Sequence, residues 1–385
     1  MVVPEIIFWC SLFSVFYAYL GYIGLLWAIT LIKNDPVKKE SITPSVSLII
    51  SVYNEENILS RKIENALDLN YPRHLLEIAI ISDGSTDESN DIIRKYAQRD
   101  RRIRPYIAPR NKGKTACLND FVPKLRGEVI LFSDANSFYH KDLIFKIVRS
   151  FADDRVGFIT GSTKYFTSFG GKEIEATNLY SRLEKITKAF ESKIGSCVGA
   201  DGAVFAIRRH LYKTLGPHDM NDFGMPLNII KQGYRGVLDH QVYCCEEAAA
   251  TMKGELRRHI RITNRTVRAI LNHADLLNPL KYPIFSFQIL SHKLFKLLVP
   301  FFMLLLLFSN IVLAVRGSHF YQVCVVFQIV FYGCAFFQRP APVKSGIGRI
   351  FALCHSFVYI NGAIFWGWVT YLSGETYSTW TPERT

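Results

Sequence analysis

The stretch that most constrains this chain is Val129-Ile130-Leu131-Phe132-Ser133-Asp134-Ala135-Asn136. Four apolar residues in a row, with no polar alternation, read as a strand buried on both faces. Such strands belong to parallel sheets covered by helices, where ligands bind at the carboxyl ends of the strands. The run ends in a carboxylate, with one residue between it and an amide carbonyl. A divalent cation held by a diphosphate asks for oxygen ligands of this kind. Taken alone, the same residues read more simply as a strand end whose Asp caps the next helix.

The neighbouring sequence shifts that balance. Val46 to Val52 is a first buried strand ending in Tyr53-Asn54-Glu55-Glu56; the helix after it runs to about Leu69, with Asn54 as its N-cap. Leu76 to Ser82 is a second strand, ending in Asp83-Gly84-Ser85-Thr86-Asp87-Glu88, and a helix follows through Ile92, Ile93 and Tyr96. A third, Arg104 to Ala108, leads through Asn111-Lys112-Gly113-Lys114 into a helix starting near Thr115. This alternation predicts βαβ units and a parallel sheet with right-handed crossovers. Tyr53, Asn54, Glu55, Asp83, Gly84, Lys114 and Asp134 then share one sheet edge. A carboxylate accepts from a base imide or a ribose hydroxyl, glycine lets a ligand approach the backbone, and lysine faces phosphate. Singly, Asp83-Gly84 is a common turn and Lys114 a solvated cation. Together at one edge they point to nucleotide chemistry.

The rest of the chain is organised by membrane. Residues 6–32, 294–315, 320–338 and 350–372 are apolar enough to read as four spans. The first is too long for a signal-peptide core and no small-residue cleavage site follows it, so it reads as a retained anchor. Basic residues number 46 against 33 acidic, a net charge of +13. Lys33, Lys38 and Lys39 follow the first span; Arg257, Arg258, Arg261, Arg265 and Arg268 precede the second; Arg339, Lys344 and Arg349 lie between the third and fourth. Only Arg316 lies between the second and third. The positive-inside rule then puts residues 33–293 in the cytoplasm and both termini outside. No nucleic-acid module is visible, so the charge is assigned to membrane and substrate rather than to nucleic acid. The eight Cys form no C-x-x-C pair, and Cys117, Cys197, Cys244 and Cys245 read as reduced, apolar fillers.

The series SVSLIISVYNEE, ISDGSTDES, NKGKTACLND, VILFSDANS, GADGAVFAIRR, MNDFGMPLNIIKQGYRG and RRHIR resembles family 2 glycosyltransferases of the GT-A type over roughly 45–270. With its flanking spans it is similar to membrane synthases of hyaluronan, chitin oligosaccharide, poly-N-acetylglucosamine and cellulose. The resemblance implies an α/β fold: a cytoplasmic GT-A domain with a Rossmann-like, mostly parallel sheet, plus about four transmembrane helices. The expected order is an anchor at 1–35, the GT-A domain at 45–270, an amphipathic interface segment at 275–293, three spans within 294–372 and an extracytoplasmic tail at 373–385.

The resemblance also implies a nucleotide-sugar donor, with UDP as the nucleotide, a divalent cation (Mg2+ or Mn2+) and an inverting displacement. Tyr53, Glu55 and Asp83 would hold the uridine, and Lys114, Asp134, Arg258 and Arg261 would serve the diphosphate. Asp134 and Asn136 would hold the metal, with Asn136 standing where the family's D-x-D motif has its second Asp. The 199–208 stretch resembles the acceptor-side strand and reads equally as a sheet-edge turn. Asp222, before a helix at 225–232 that closes at Gly233, matches the catalytic base; its plainer reading is an N-cap, and Asp219 is a nearby competitor. Ile262 replaces a Trp that helps processive relatives stack the growing sugar, which implies short products.

The function implied is transfer to a glycan or lipid-linked acceptor by an integral, multi-pass plasma-membrane enzyme of cell-envelope glycan synthesis. A polyprenyl-phosphate glycosyltransferase is the rival enzyme, and an inactive scaffold or pore subunit the rival of another class. With three C-terminal spans, export of product would call for a homo-oligomer or an export partner.

Overall fold

The computed structural model describes residues 2–169, 172–175, 179–247, 252–336 and 346–377. The chain divides into two compact units: Leu26–Ala250 with Arg268–Gln288 and Tyr377–Thr385, and Met1–Leu25 with Thr251–Val267 and Ile289–Thr376.

The first unit is built on a sheet of β1 (Val46–Val52), β2 (Leu76–Ser82), β3 (Ile103–Ile107), β4 (Val129–Asp134), β5 (Phe138–Tyr139), β6 (Val156–Phe169), β7 (Lys172–Glu175), β8 (Phe205–Arg208) and β9 (Arg235–Glu247). The spatial order is β3-β2-β1-β4-β8-β6-β9-β5, with β7 on β6. Every residue of β1 is buried, Ser47 and Ser51 included, as a strand covered on both faces requires. Leu48, Ile50, Ile78, Ile80 and Leu131 form one core with Leu59, Ile63 and Ala66 of the Glu56–Leu67 helix and Ile93 of the Ser89–Arg99 helix.

β1 pairs in parallel with both β2 and β4: Ser51 lies opposite Ile81 on one side and Asp134 on the other. The ends of the three strands are therefore level. The chain leaves β1 for β2 on one side and returns to β4 on the other, which makes the β1–β4 junction a switch point where crevices open.

Beyond β4 the sheet is mixed, a correction to the expectation of a mostly parallel one. β8 is antiparallel to β4 and to β6, and β5 to β9, while β9 runs parallel to β6. Phe132 of β4 pairs with Phe205 of β8, their rings stacked with centroids 4.5 Å apart. Because β8 runs backwards, the turn before it arrives at the carboxyl edge of β4, beside Asp134.

Two local expectations change. Asn54 does not cap the first helix; it adopts a left-handed φ of 52°, and the capping position falls to Glu55. Asn favours both roles, since its short side chain tolerates that region. Asp222 is likewise no N-cap: the helix starts earlier than expected, spanning Asn221–Lys231 with Met220 before it, so Asp222 sits in its first turn.

Among the described residues, three helices are long and apolar enough to cross a membrane, Val2–Ile32, Pro283–Val315 and Ile350–Leu372, which marks the chain as membrane-associated. The span expected at 320–338 reaches beyond the described residues; within them it is the apolar helix His319–Ala335. No helix end falls at 294, where the interface segment was expected to give way to a span; one helical run continues from Pro283 to Val315 through a π-turn at Leu290–Leu294. Tyr17 Oη meets Ser291 Oγ at 2.8 Å and Tyr19 Oη meets Asn361 Oδ1 at 3.3 Å, polar pairs of the kind that tie apolar helices together. Arg339 and Lys344, and the tail beyond 377, lie outside the described residues.

Candidate active site

The site is assembled from the level ends of β1, β2 and β4. Buried Asp83 follows β2, and its carboxylate accepts from Lys112 N at 2.8 Å, Gly113 N at 2.9 Å and the Cys117 thiol at 3.2 Å. Those bonds fold the 111–114 loop back over the strand ends. Burial, then Asp83 itself, pushes the Cys117 thiol up, so it stays a neutral donor. Gly84 has φ +69°, and a Cβ there would come 2.3 Å from the Arg110 carbonyl carbon, so only glycine fits this crossing. Ser51, Val52, Ile81, Asp83, Lys114 and Cys117 line a small crevice.

Lys114 opens the Lys114–Phe121 helix, and its Nζ lies 2.6 Å from Asp134 Oδ1. Asn136 follows in the turn after β4. Tyr53 is half-buried at the end of β1, and Glu55 is buried. This motif is laced to the loop after β2: Asn54 N donates to Ser85 Oγ at 3.1 Å, Thr86 N to Asn54 Oδ1 at 2.8 Å, and Glu55 N to Ser89 Oγ at 3.0 Å.

The turn before β8 carries the second half of the site. Ala200 N donates to the Asp222 carbonyl at 2.8 Å. A Cβ on Gly202 would meet Asp222 Oδ2 at 2.9 Å, so the carboxylate lies directly on that glycine. Asp201 is committed elsewhere: its carboxylate accepts from Thr163 N at 2.8 Å, Thr163 Oγ1 at 2.9 Å and Ala203 N at 3.2 Å. Asp219 closes a local turn by accepting from Gly216 N at 2.9 Å, and its carbonyl accepts from Thr115 Oγ1 at 2.7 Å. That last bond ties the segment before Asp222 to the helix that carries Lys114.

The structure therefore gathers Tyr53, Glu55, Asp83, Lys114, Asp134 and Asn136 at one sheet edge, and brings the turn that receives Asp222 to the same edge. Arg258 and Arg261 lie on the Met252–Asn272 helix, in its part belonging to the other unit.

Sequence reasoning missed Lys62. It is fully buried in the Glu56–Leu67 helix, with Nζ bonded to the Ser137 carbonyl and 4.0 Å from the Tyr139 ring centroid. Burial lowers its pKa to about 7. The signal was present: Leu59, Lys62, Ile63 and Ala66 form a helical stripe, so the lysine had to face inward with its apolar neighbours.

No group of three or more His, Cys, Asp or Glu side chains fit to hold a metal occurs among the described residues. The chain offers Asp134 and the Asn136 amide. That suits a cation whose remaining ligands are substrate phosphates and water, the usual setting for Mg2+ and its like, and does not suit a cation caged by protein alone.

Residues 47–216 match the family model described as Glycosyl transferase family 2. That segment carries a family 2 glycosyltransferase domain. The chain is 28% identical over 144 residues to an uncharacterized glycosyltransferase of Haemophilus influenzae, covering 37% of this chain and 56% of that one. It is 30% identical over 116 residues to a beta-monoglucosyldiacylglycerol synthase of a Nostoc species, covering 30% of this chain and 25% of the relative. The chain thus spans about half the length of the first relative and a quarter of the second. Among solved structures, the mannosyltransferase PcManGT from Pyrobaculum calidifontis, in complex with GDP-Man and Mn2+, has the same fold: TM-score 0.76, 19% identity, covering 97% of this chain and 100% of that one.

Proposed function

We propose that this glycosyltransferase moves a sugar, with inversion, from a nucleoside diphosphate sugar at the β1–β4 switch point to a lipid-linked acceptor. One observation carries the reading: Asp222 rests on Gly202 in a turn that arrives at the sheet edge carrying Asp83, Lys114 and Asp134. In the reaction, the Asp222 carboxylate takes the acceptor hydroxyl proton while the acceptor oxygen attacks the anomeric carbon. The bond from that carbon to the diphosphate oxygen breaks, and the diphosphate leaves with the electron pair. Lys114 meets the charge that develops there. Asp134 and Asn136 would hold a divalent cation, which would supply further neutralisation of the leaving group.

The Asp83-held loop and the Tyr53–Glu56 motif frame the nucleoside. UDP-sugars are the first donors to test on the family resemblance, and GDP-mannose, held by the mannosyltransferase neighbour, is the second. The three membrane-length helices and the likeness to a glycolipid synthase support the lipid-linked acceptor. Arg258 and Arg261 are assigned to the diphosphate, and the catalytic domain to the cytoplasm of a multi-pass protein.

Purified full-length protein with radiolabelled nucleotide sugars and membrane lipid extract tests the whole reading. Transfer is expected to stop in chelator and to return better with Mn2+ than with Mg2+. An amide in place of the second carboxylate lowers the site's charge and favours the cation more tolerant of such ligands. Full transfer in excess chelator would remove Asp134 and Asn136 from the metal role; Asn136→Asp leaving the preference unchanged would remove the reason given for it.

Gly202→Ala tests the acceptor side. The added methyl presses the carboxylate end of the Asp222 side chain rather than backbone, so the carboxylate shifts while the fold persists. Displacing a reacting group by a fraction of an ångström is expected to lower kcat by about tenfold or more, with nucleotide affinity unchanged. An unchanged kcat would mean that Asp222 does no chemistry in this position.

A further inference from the structure

The turn that carries Asp134 and Asn136 is held from beneath by one helix, Glu56–Leu67. The three residues that follow Asn136, running from the turn into β5, are gripped by it. The Lys62 ammonium donates to the Ser137 carbonyl, the Arg61 guanidinium carbon stands 5.1 Å from the Phe138 ring centroid, and Asn65 exchanges two hydrogen bonds of 2.8 and 2.9 Å with the Tyr139 backbone. The turn is tied outward as well. Ser137 Oγ donates to Glu246 Oε1 at 2.5 Å, and Tyr139 Oη donates to the Ala203 carbonyl at 2.8 Å. Ala203 adjoins Gly202, on which Asp222 rests. The helix itself begins at the Tyr53–Glu56 motif. A rigid rod therefore joins the nucleoside end, the metal turn and the acceptor turn.

Among these grips Lys62 is the costly one. Its ammonium is wholly removed from water, and the structure gives it a carbonyl and an aromatic face, with no carboxylate in hydrogen-bond contact. A methionine would fill the same space without burying charge. Stability alone does not account for a lysine here.

We propose that Lys62 is a positioning residue: its ammonium pins the Ser137 carbonyl and so holds Asp134 and Asn136 in the geometry that receives a metal-bound diphosphate. This rests on the reading of Asp134 and Asn136 as metal holders. The Arg61 and Asn65 contacts keep the turn in place without Lys62. Its loss should loosen the orientation of the two ligands and leave the fold intact.

The test is calorimetric titration of UDP and GDP into full-length native protein, Lys62→Met and Lys62→Gln, each with MnCl2 and with chelator, alongside thermal melts. Native protein is expected to bind one of the two nucleotides more tightly with Mn2+. Lys62→Met is expected to lose at least about tenfold in the Mn2+-dependent affinity. It should keep its chelator affinity, which Tyr53 to Glu56 and Asp83 supply, and should melt no lower than native. Lys62→Gln can still donate to the Ser137 carbonyl and is expected to recover most of the loss. Equal Mn2+-dependent affinity in Lys62→Met and native protein would overturn the proposal. So would equal losses with and without metal, or a Lys62→Gln as impaired as Lys62→Met. Native protein whose nucleotide affinity ignores Mn2+ would overturn the metal reading and this inference with it.

Discussion

Asp222→Asn is expected to slow sugar transfer at least about a hundredfold, the low end of what a lost general base costs, while nucleotide binding stays near native. The substitution is close to isosteric, so Gly202 still receives a side chain of the same size. The backbone bond from Ala200 N to the Asp222 carbonyl, 2.8 Å long, is untouched. Asp222 lies in the first helical turn, where its charge contributes about 0.3–1 kcal/mol through the helix dipole. A small fall in melting temperature should therefore accompany the large fall in rate. Asp219→Asn is the control. The Asp219 carboxylate accepts from Gly216 N, and an amide oxygen can accept the same bond, so transfer should change little. If Asp219→Asn is inactive and Asp222→Asn is not, the base has been assigned one turn too late. If both transfer normally, Asp201 becomes the candidate, although its carboxylate is already bonded to Thr163 and Ala203.

The first four strands were legible because they are short, mostly apolar and ended by polar clusters. The observed strands Val46–Val52 and Leu76–Ser82 agree with the sequence reading residue for residue. β6 was not legible. Its sequence, VGFITGSTKYFTSF, mixes Gly, Ser, Thr and Lys with apolar residues over 14 positions. Its pairing with β8 and β9 is set by partners remote in sequence. Missing it made the sheet look more parallel than it is.

Within the site, sequence could list Asp83, Lys114, Asp134 and Asp222. It could not say that Asp83 is engaged with the backbone of residues 112 and 113, or that Lys114 and Asp134 touch. Those facts depend on loop closure, which leaves no local pattern. Lys62 shares the helical period of Leu59, Ile63 and Ala66, but lysine is rarely buried, so the period alone does not mark it as a site residue.

The contact between Lys114 and Asp134 leads to the other large effect. The two side chains pair across 2.6 Å. A cation arriving alone must compete with Lys114 for the carboxylate, and a diphosphate arriving alone must compete with Asp134 for the ammonium. A cation and diphosphate arriving together replace both halves of the pair at once, so each should strengthen the other's binding, reciprocally. Asp134→Asn is expected to abolish most of the Mn2+-dependent part of nucleotide affinity, a loss of about tenfold or more, and to lower transfer at least about a hundredfold. Nucleotide affinity in chelator should be equal to native or higher, because Lys114 is released. Lys114→Met should act oppositely on the two ligands. Mn2+ alone should bind more tightly than to native protein, because its carboxylate no longer has a competitor. Nucleotide with Mn2+ should bind about 10- to 100-fold more weakly, the equivalent of one lost charged hydrogen bond. Both side chains are partly exposed, at 18% and 27%, so solvent screens the pair and the gain for Mn2+ alone should be modest, a few-fold. Calorimetry of Mn2+ alone, nucleotide alone and the two together separates these terms. Native binding that is simply additive, or Lys114→Met taking up Mn2+ no better than native protein, would show that the pair is structural and that the two charges are not exchanged for substrate.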